Sequence, residues 1–108
     1  MPQPPCNKPN GAEAAVRMLQ LHGVETIFGL CGDTSLPFYD ALQRLDHGMT
    51  HVLTRDERSA AYMADGYARA SNRVGVCMAQ SVGAVNLAAG LQDAYLGLSP
   101  VLALTGHK

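Results

Sequence analysis

Thr26-Ile27-Phe28-Gly29-Leu30-Cys31-Gly32-Asp33 is a short apolar run that breaks into small and turn-forming residues. It reads as a buried strand entering a tight turn. Upstream, Gly11 to His22 places Ala14, Ala15, Met18, Leu19 and Leu21 at helical spacing, and His22-Gly23 is a natural stop. Downstream, Leu36 to Leu45 returns to a helical stripe through Leu36, Tyr39, Leu42 and Leu45. The alternation continues with a strand at Thr50–Leu53, a charged cluster Arg55-Asp56-Glu57-Arg58, and an alanine-rich helix from Ser59 to Ala70. A strand at Val74–Ala79, a helix from roughly Ala84 to Tyr95 and a strand at Val101–Thr105 complete it. Strands and helices in strict alternation, joined by short connections, predict an α/β fold: a parallel sheet with helices on both faces.

Composition removes several classes of function. The 108 residues allow one domain, and 47% apolar against 16% charged residues predicts a packed core rather than disorder. Acids and bases are interspersed to a net charge of -1, so no basic stripe points to nucleic acid. No apolar stretch approaches the ~18 residues that suggest a membrane span. Cys6, Cys31 and Cys77 are odd in number and lack C-x-x-C spacing, which argues against a disulfide framework or a zinc site and for reduced thiols in a cytoplasm. Residues 1–10 carry four prolines and no apolar core of a signal peptide, and read as a flexible leader. Residues 11–108 then form the N-terminal part of one domain, and the last strand, with no helix after it, suggests a longer chain.

The segment T-R-D-E-R-S-A-A-Y-M-A-D-G-Y-A-R-A-S, Thr54 to Ser71, resembles the R-H-E-x-x-A-x-x-M-A-D-G-Y-A-R signature of thiamine-diphosphate enzymes. Three other segments are similar to that family in the same order. F-G-L-C-G-D-T-S-L-P-F-Y-D-A-L (Phe28 to Leu42) resembles its F-G-x-P-G-x turn and following helix, and V-C-M-A-Q-S-V-G-A-V-N-L (Val76 to Leu87) its strand ending in G-P-G-A-T-N-L. P-V-L-A-L-T-G-H (Pro100 to His107) resembles P-V-L-A-I-T-G-Q. Together they cover nearly the whole chain after residue 11.

The resemblance implies the pyrimidine-binding (PYR) domain, flavodoxin-like, of an enzyme such as acetolactate synthase or a 2-oxo acid decarboxylase. It implies thiamine diphosphate as cofactor, with Mg2+ bound by a domain outside these residues, a 2-oxo acid substrate, and a homodimer or homotetramer whose subunits share the active site. Glu57 matches the carboxyl group that protonates the cofactor's aminopyrimidine at N1′. An acid in that role must keep its proton near neutral pH, and burial is what raises a carboxyl group's pKa. The family's apolar enclosure is completed by a partner subunit, so Glu57 is expected to be exposed or half-exposed here, with Arg55 and Arg58 pointing outward. Cys31, Gly32, Gly83 and Asn86 match positions around the cofactor, and Asp33 matches an aspartate that some decarboxylases use on the substrate side.

Each position also has a plainer explanation. Glu57 beside an N-capping Asp56 suits the positive end of a helix. Gly32 suits any strand-to-helix turn, with Asp33 or Ser35 as cap, and Cys31 suits a small buried site. Asp56 replaces the usual histidine, and Ser81-Val82 replaces Gly-Pro. These departures leave room for a non-catalytic PYR-like module that only dimerises or binds a partner. A nucleotide-binding or signalling domain of the flavodoxin type lacks support, since no Gly-rich phosphate loop follows the first strand. His22, His47, His51 and His107 have no ligand spacing and are expected at the surface or in loops; Met63 and Met78 are expected in the core. The alanines at 60, 61, 64, 68, 84, 88 and 89 keep helix surfaces thin for packing, either on the sheet or between subunits.

Overall fold

The computed structural model describes residues 8–107; most of the proline-bearing start, with Cys6, and the final Lys108 lie outside the described residues. Helix α1 (Gly11–Leu21) opens with a capping box: the Asn10 side chain accepts from the Glu13 amide at 2.8 Å, and the Glu13 carboxylate accepts from the Asn10 amide at 3.1 Å. Strand β1 (Thr26–Gly29) leads through a single 3-10 turn at Asp33–Ser35 into α2 (Leu36–Arg44). Then come β2 (Thr50–Leu53), α3 (Glu57–Ser71), β3 (Gly75–Gln80), α4 (Ser81–Leu96) and β4 (Val101–Gly106).

All four strands are parallel, in the order β2-β1-β3-β4. The pleat sends alternate side chains to opposite faces. Ile27, Val76 and Met78 pack with Val16 and Leu19 of α1 and Ala41 of α2. Cys77 and Ala79 pack on the other face with Ala60, Ala61 and Ala64 of α3 and Leu87 of α4. Fully enclosed side chains such as Ile27, Leu87 and Val76 each contribute roughly 1.5–3 kcal/mol of apolar burial. The second core is built from small residues, so α3 lies close to the sheet. A Cβ on Gly75 would collide with the Ala64 carbonyl oxygen.

This strand order has a functional consequence. The chain steps from β1 outward to β2, then returns to the other side of β1 for β3. Loops leaving the carboxyl ends of β1 and β3 therefore diverge and leave a crevice between them, the place where open α/β sheets take ligands.

Several expectations need correcting. Of the apolar stripe on α1, Leu19 is buried as expected, together with Val16, but Met18 and Leu21 are exposed. Leu36 is likewise exposed, while Tyr39, Leu42 and Leu45 pack against the core. Met78 is buried as expected but Met63 is not, because α3 turns Ala60, Ala61, Ala64 and Ala68 inward and carries position 63 to the outer face. His51 lies on β2, half-buried, its Nε2 2.8 Å from the Tyr39 hydroxyl and the two rings edge to face. Burial depresses the His51 pKa and pushes Tyr39 up to about 12. Helix α4 starts at Ser81, not Ala84, because Ser81 makes the strand-to-helix turn by itself at φ 32°. Val82 and Gly83 then belong to the first helical turn.

Candidate functional site

A cleft of about 340 Å³ occupies the crevice between the ends of β1 and β3. Leu30, Cys31 and Asp33 form the wall that leaves β1, and Ser81, Val82, Gly83 and Asn86 form the opposite wall from α4. Glu57, the first residue of α3, closes the side between them. Four positions singled out from sequence, Cys31, Glu57, Gly83 and Asn86, thus share one cavity with Asp33. Gly32 lies beneath the wall, packed so closely under the Gln80 amide that a Cβ there would collide with Gln80 Nε2.

Glu57 is positioned by local sequence. Asp56 is in extended backbone and accepts from the Arg58 amide at 2.7 Å, so α3 begins at 57 rather than at Ser59. The same Asp56 carboxylate holds the largely exposed Arg58 guanidinium at 3.1 Å, which turns that arginine away from the cleft. The guanidinium, then the backbone amide, lowers the Asp56 pKa and keeps this cap charged. Arg55 is exposed as well. The expected outward placement of both arginines therefore holds, and Asp56 acts as a cap rather than as a second acid in the cleft.

The Glu57 carboxylate, half-buried, accepts from Asn86 Nδ2 at 3.2 Å. It rests over Gly83, where a Cβ would come within 2.7 Å of Oε1. Gly83 is thus needed for room, and Asn86, one helical turn further on, for orientation. A carboxyl group held by one neutral donor and no cation can present its second oxygen to a ring nitrogen. Leu30 and Val82 offer apolar flanks for such a ring. These features fit an aminopyrimidine. They do not fit a metal: among the described residues no three His, Cys, Asp or Glu side chains gather to hold an ion.

Cys31 corrects an expectation. It is exposed on the rim, past the end of β1, whereas Cys77 is buried in the sheet with its thiol pushed up to about 11 by burial. Burial both disfavours the Cys77 thiolate and shields its sulfur from a soluble alkylating agent. Brief treatment of the folded chain with iodoacetamide should label Cys31 and leave Cys77 unmodified, as peptide mass mapping would show; labelling of Cys77 at a comparable rate would contradict this burial.

Sequence reading missed Gln80 and Thr34. The Gln80 side chain accepts from the Thr34 amide at 2.5 Å and from the Thr34 hydroxyl at 2.8 Å, across the cleft's floor. The available signal was position: Gln80 is the last residue of β3, at the strand end that faces ligands. Asp33 and Ser35 do not cap α2; the Ser35 hydroxyl turns back onto Gly32, donating to its carbonyl oxygen at 2.9 Å.

The fold and cleft define a class: a parallel α/β domain with a carboxylate and small residues facing a ligand position at its strand ends. Comparison with known proteins identifies the family within that class. Residues 9–108 match the family model described as "Thiamine pyrophosphate enzyme, N-terminal TPP binding domain", and the chain belongs to that family. It is 53% identical over 98 residues, 90% of its own length, to a "Probable acetolactate synthase large subunit" of Methanocaldococcus jannaschii. It is 50% identical over 99 residues, 91% of its length, to "Acetolactate synthase isozyme 2 large subunit" of Escherichia coli. An "Acetolactate synthase" of Arthrospira platensis is 50% identical over 100 residues, 90% of this chain. The chain spans only 16%, 18% and 17% of these three relatives, respectively. Among the described residues no helix is long and apolar enough to cross a membrane.

Proposed function

We infer that these residues supply the aminopyrimidine-activating half of a thiamine-diphosphate active site, in an enzyme of the acetolactate synthase type that joins or decarboxylates 2-oxo acids. The observation that carries this is Glu57 lodged over Gly83, oriented by Asn86, at the switch point between β1 and β3. Thiamine diphosphate, when bound, supplies the electron sink for making and breaking the bond beside a 2-oxo acid's carbonyl. The protein's part is to hold and move a proton. Glu57 presents its carboxyl group to N1′ of the pyrimidine, and Asn86 fixes the other oxygen so that the acid does not swing into solvent. Leu30, Cys31 and Val82 wall the ring, and Asp33 stands on the side where substrate enters.

The diphosphate and its Mg2+ are assigned to residues beyond this stretch. A second copy of the protein closes the cleft in a homodimer or homotetramer. On α4 the exposed Val82 and Val85, with Ala88 and Ala89, give a thin apolar face suited to helix–helix contact with that copy. Cys31 and Cys77, both unpaired, suit a reducing cytoplasm.

Calorimetric titration of the full-length protein with thiamine diphosphate and Mg2+ tests the reading. Saturable binding in the micromolar range, and consumption of pyruvate that depends on the added cofactor, are expected. Absence of cofactor binding would remove the functional assignment while leaving the fold intact.

A further inference from the structure

The cleft's two walls belong to different strands: β1 and β3 pair only as far as Gly29 and Met78, and β3 runs on to Gln80 paired with β4 alone. Beyond those residues the sheet ladder does not hold the Leu30–Thr34 segment in place. Among the described residues, the side-chain hydrogen bonds that join the walls there come from Gln80. The Thr34 backbone N–H can only donate, so the Gln80 atom 2.5 Å away is the amide oxygen, which also accepts from the Thr34 hydroxyl at 2.8 Å. That assignment turns the Gln80 NH2 toward Gly32, and the absence of a Cβ at residue 32 makes the fit possible. Thr34 is closed in from its other side by the end of β4, where a Cβ on Gly106 would collide with its hydroxyl oxygen.

We propose that Gln80 is a positioning residue for the aminopyrimidine cleft: its amide oxygen latches the Gly32–Thr34 turn to the end of β3 and so fixes the Cys31–Asp33 wall opposite Glu57 and Asn86. This rests on the cofactor reading above and extends it to a residue outside the acid itself. Without the latch, the β1 wall is free to move away from α4, and a ring bound between the walls loses contact on one side. A glutamate at 80 keeps the acceptor and hence the latch; an alanine removes it.

The test uses the full-length protein with Gln80→Ala and Gln80→Glu. Three quantities are read: the Kd for thiamine diphosphate by calorimetry, amide hydrogen exchange by mass spectrometry, and the thermal midpoint. For Gln80→Ala we expect Kd to rise about tenfold and exchange at Thr34 to accelerate at least tenfold, consistent with loss of two hydrogen bonds. Exchange at Cys77 and Met78 in β3 should stay near wild type, and the thermal midpoint of the full-length protein should fall by no more than a few degrees. Gln80→Glu should restore protection at Thr34 and bring Kd back to within about threefold of wild type.

A Gln80→Ala protein that binds cofactor as tightly as wild type overturns the proposal, even if Thr34 exchanges faster. Loss of protection throughout β3 also overturns it, since Gln80 would then support the fold rather than the cleft. Failure of the wild-type protein to bind the cofactor is a separate result: it removes the cofactor reading and this proposal's functional half together. The Thr34 exchange measurement still reports in that case whether the latch exists.

Discussion

Glu57→Gln should lower turnover by about 100-fold or more, while thiamine diphosphate still binds within a few-fold of wild type. The magnitude is that of losing a positioned acid. The substitution separates chemistry from shape because the amide has the size of the carboxyl group it replaces. Its oxygen can accept the Asn86 Nδ2 hydrogen bond that Glu57 Oε2 accepts at 3.2 Å. The rest of the side chain still fits over Gly83, where clearance is too small for even one added methyl. An amide N–H can donate a hydrogen bond to N1′, but it cannot give up the proton. Binding contacts therefore survive and proton transfer does not. Stability should change by less than about 0.5 kcal/mol, since Glu57 is only half-buried and its carboxylate is held by a neutral donor. Steady-state kinetics and calorimetry on the same preparation check both halves. If the Glu57→Gln protein turned over at more than about a tenth of the wild-type rate with cofactor saturated, Glu57 would not be the activating acid.

How far this site was legible beforehand varies with the kind of interaction. The short apolar run at Thr26–Gly29 and the alternation around it were enough for a parallel sheet with two covered faces, because burial on both faces leaves a direct mark on composition. The Asp56 cap was legible too, being a contact between near neighbours in the chain. Gln80 was not. Its partner Thr34 is 46 residues away, and their meeting depends on β1 and β3 being adjacent in the sheet, which single-sequence periodicity does not encode. The start of α4 was misplaced because Ser81 takes a backbone angle more usual for glycine. Residues held at such angles tend to occur at functional sites, where surrounding contacts over-determine them. Cys31 was misjudged because cysteines are usually buried, whereas this one lies beyond the strand that would have buried it.

Gly90→Ala should cost the fold about 1–2 kcal/mol, while Gly66→Ala in the facing helix should leave it unchanged or gain up to about 1 kcal/mol. In a helix interior alanine is normally the better residue, by roughly 0.5–1 kcal/mol. At Gly66 nothing lies within 4 Å of the added Cβ, so this preference acts alone. At Gly90 the Cβ would meet Ala61 Cβ at 2.5 Å and the backbone nitrogen of Tyr62 at 2.9 Å. Backbone cannot rotate aside as a long side chain can, so α4 must lift away from α3. Overpacking of this kind typically costs ~1–3 kcal/mol and outweighs the propensity gain. In the full-length protein this loss lowers the thermal midpoint by a few degrees, readily seen by circular dichroism. The displacement also reaches the cleft. Asn86 lies one helical turn before Gly90 on α4, so lifting that helix lengthens its 3.2 Å contact with Glu57. Gly90→Ala should therefore weaken catalysis in whatever fraction remains folded, whereas Gly66→Ala should not. Equal thermal midpoints for the two variants would mean that α3 and α4 do not approach as closely as their alanine-lined contact requires.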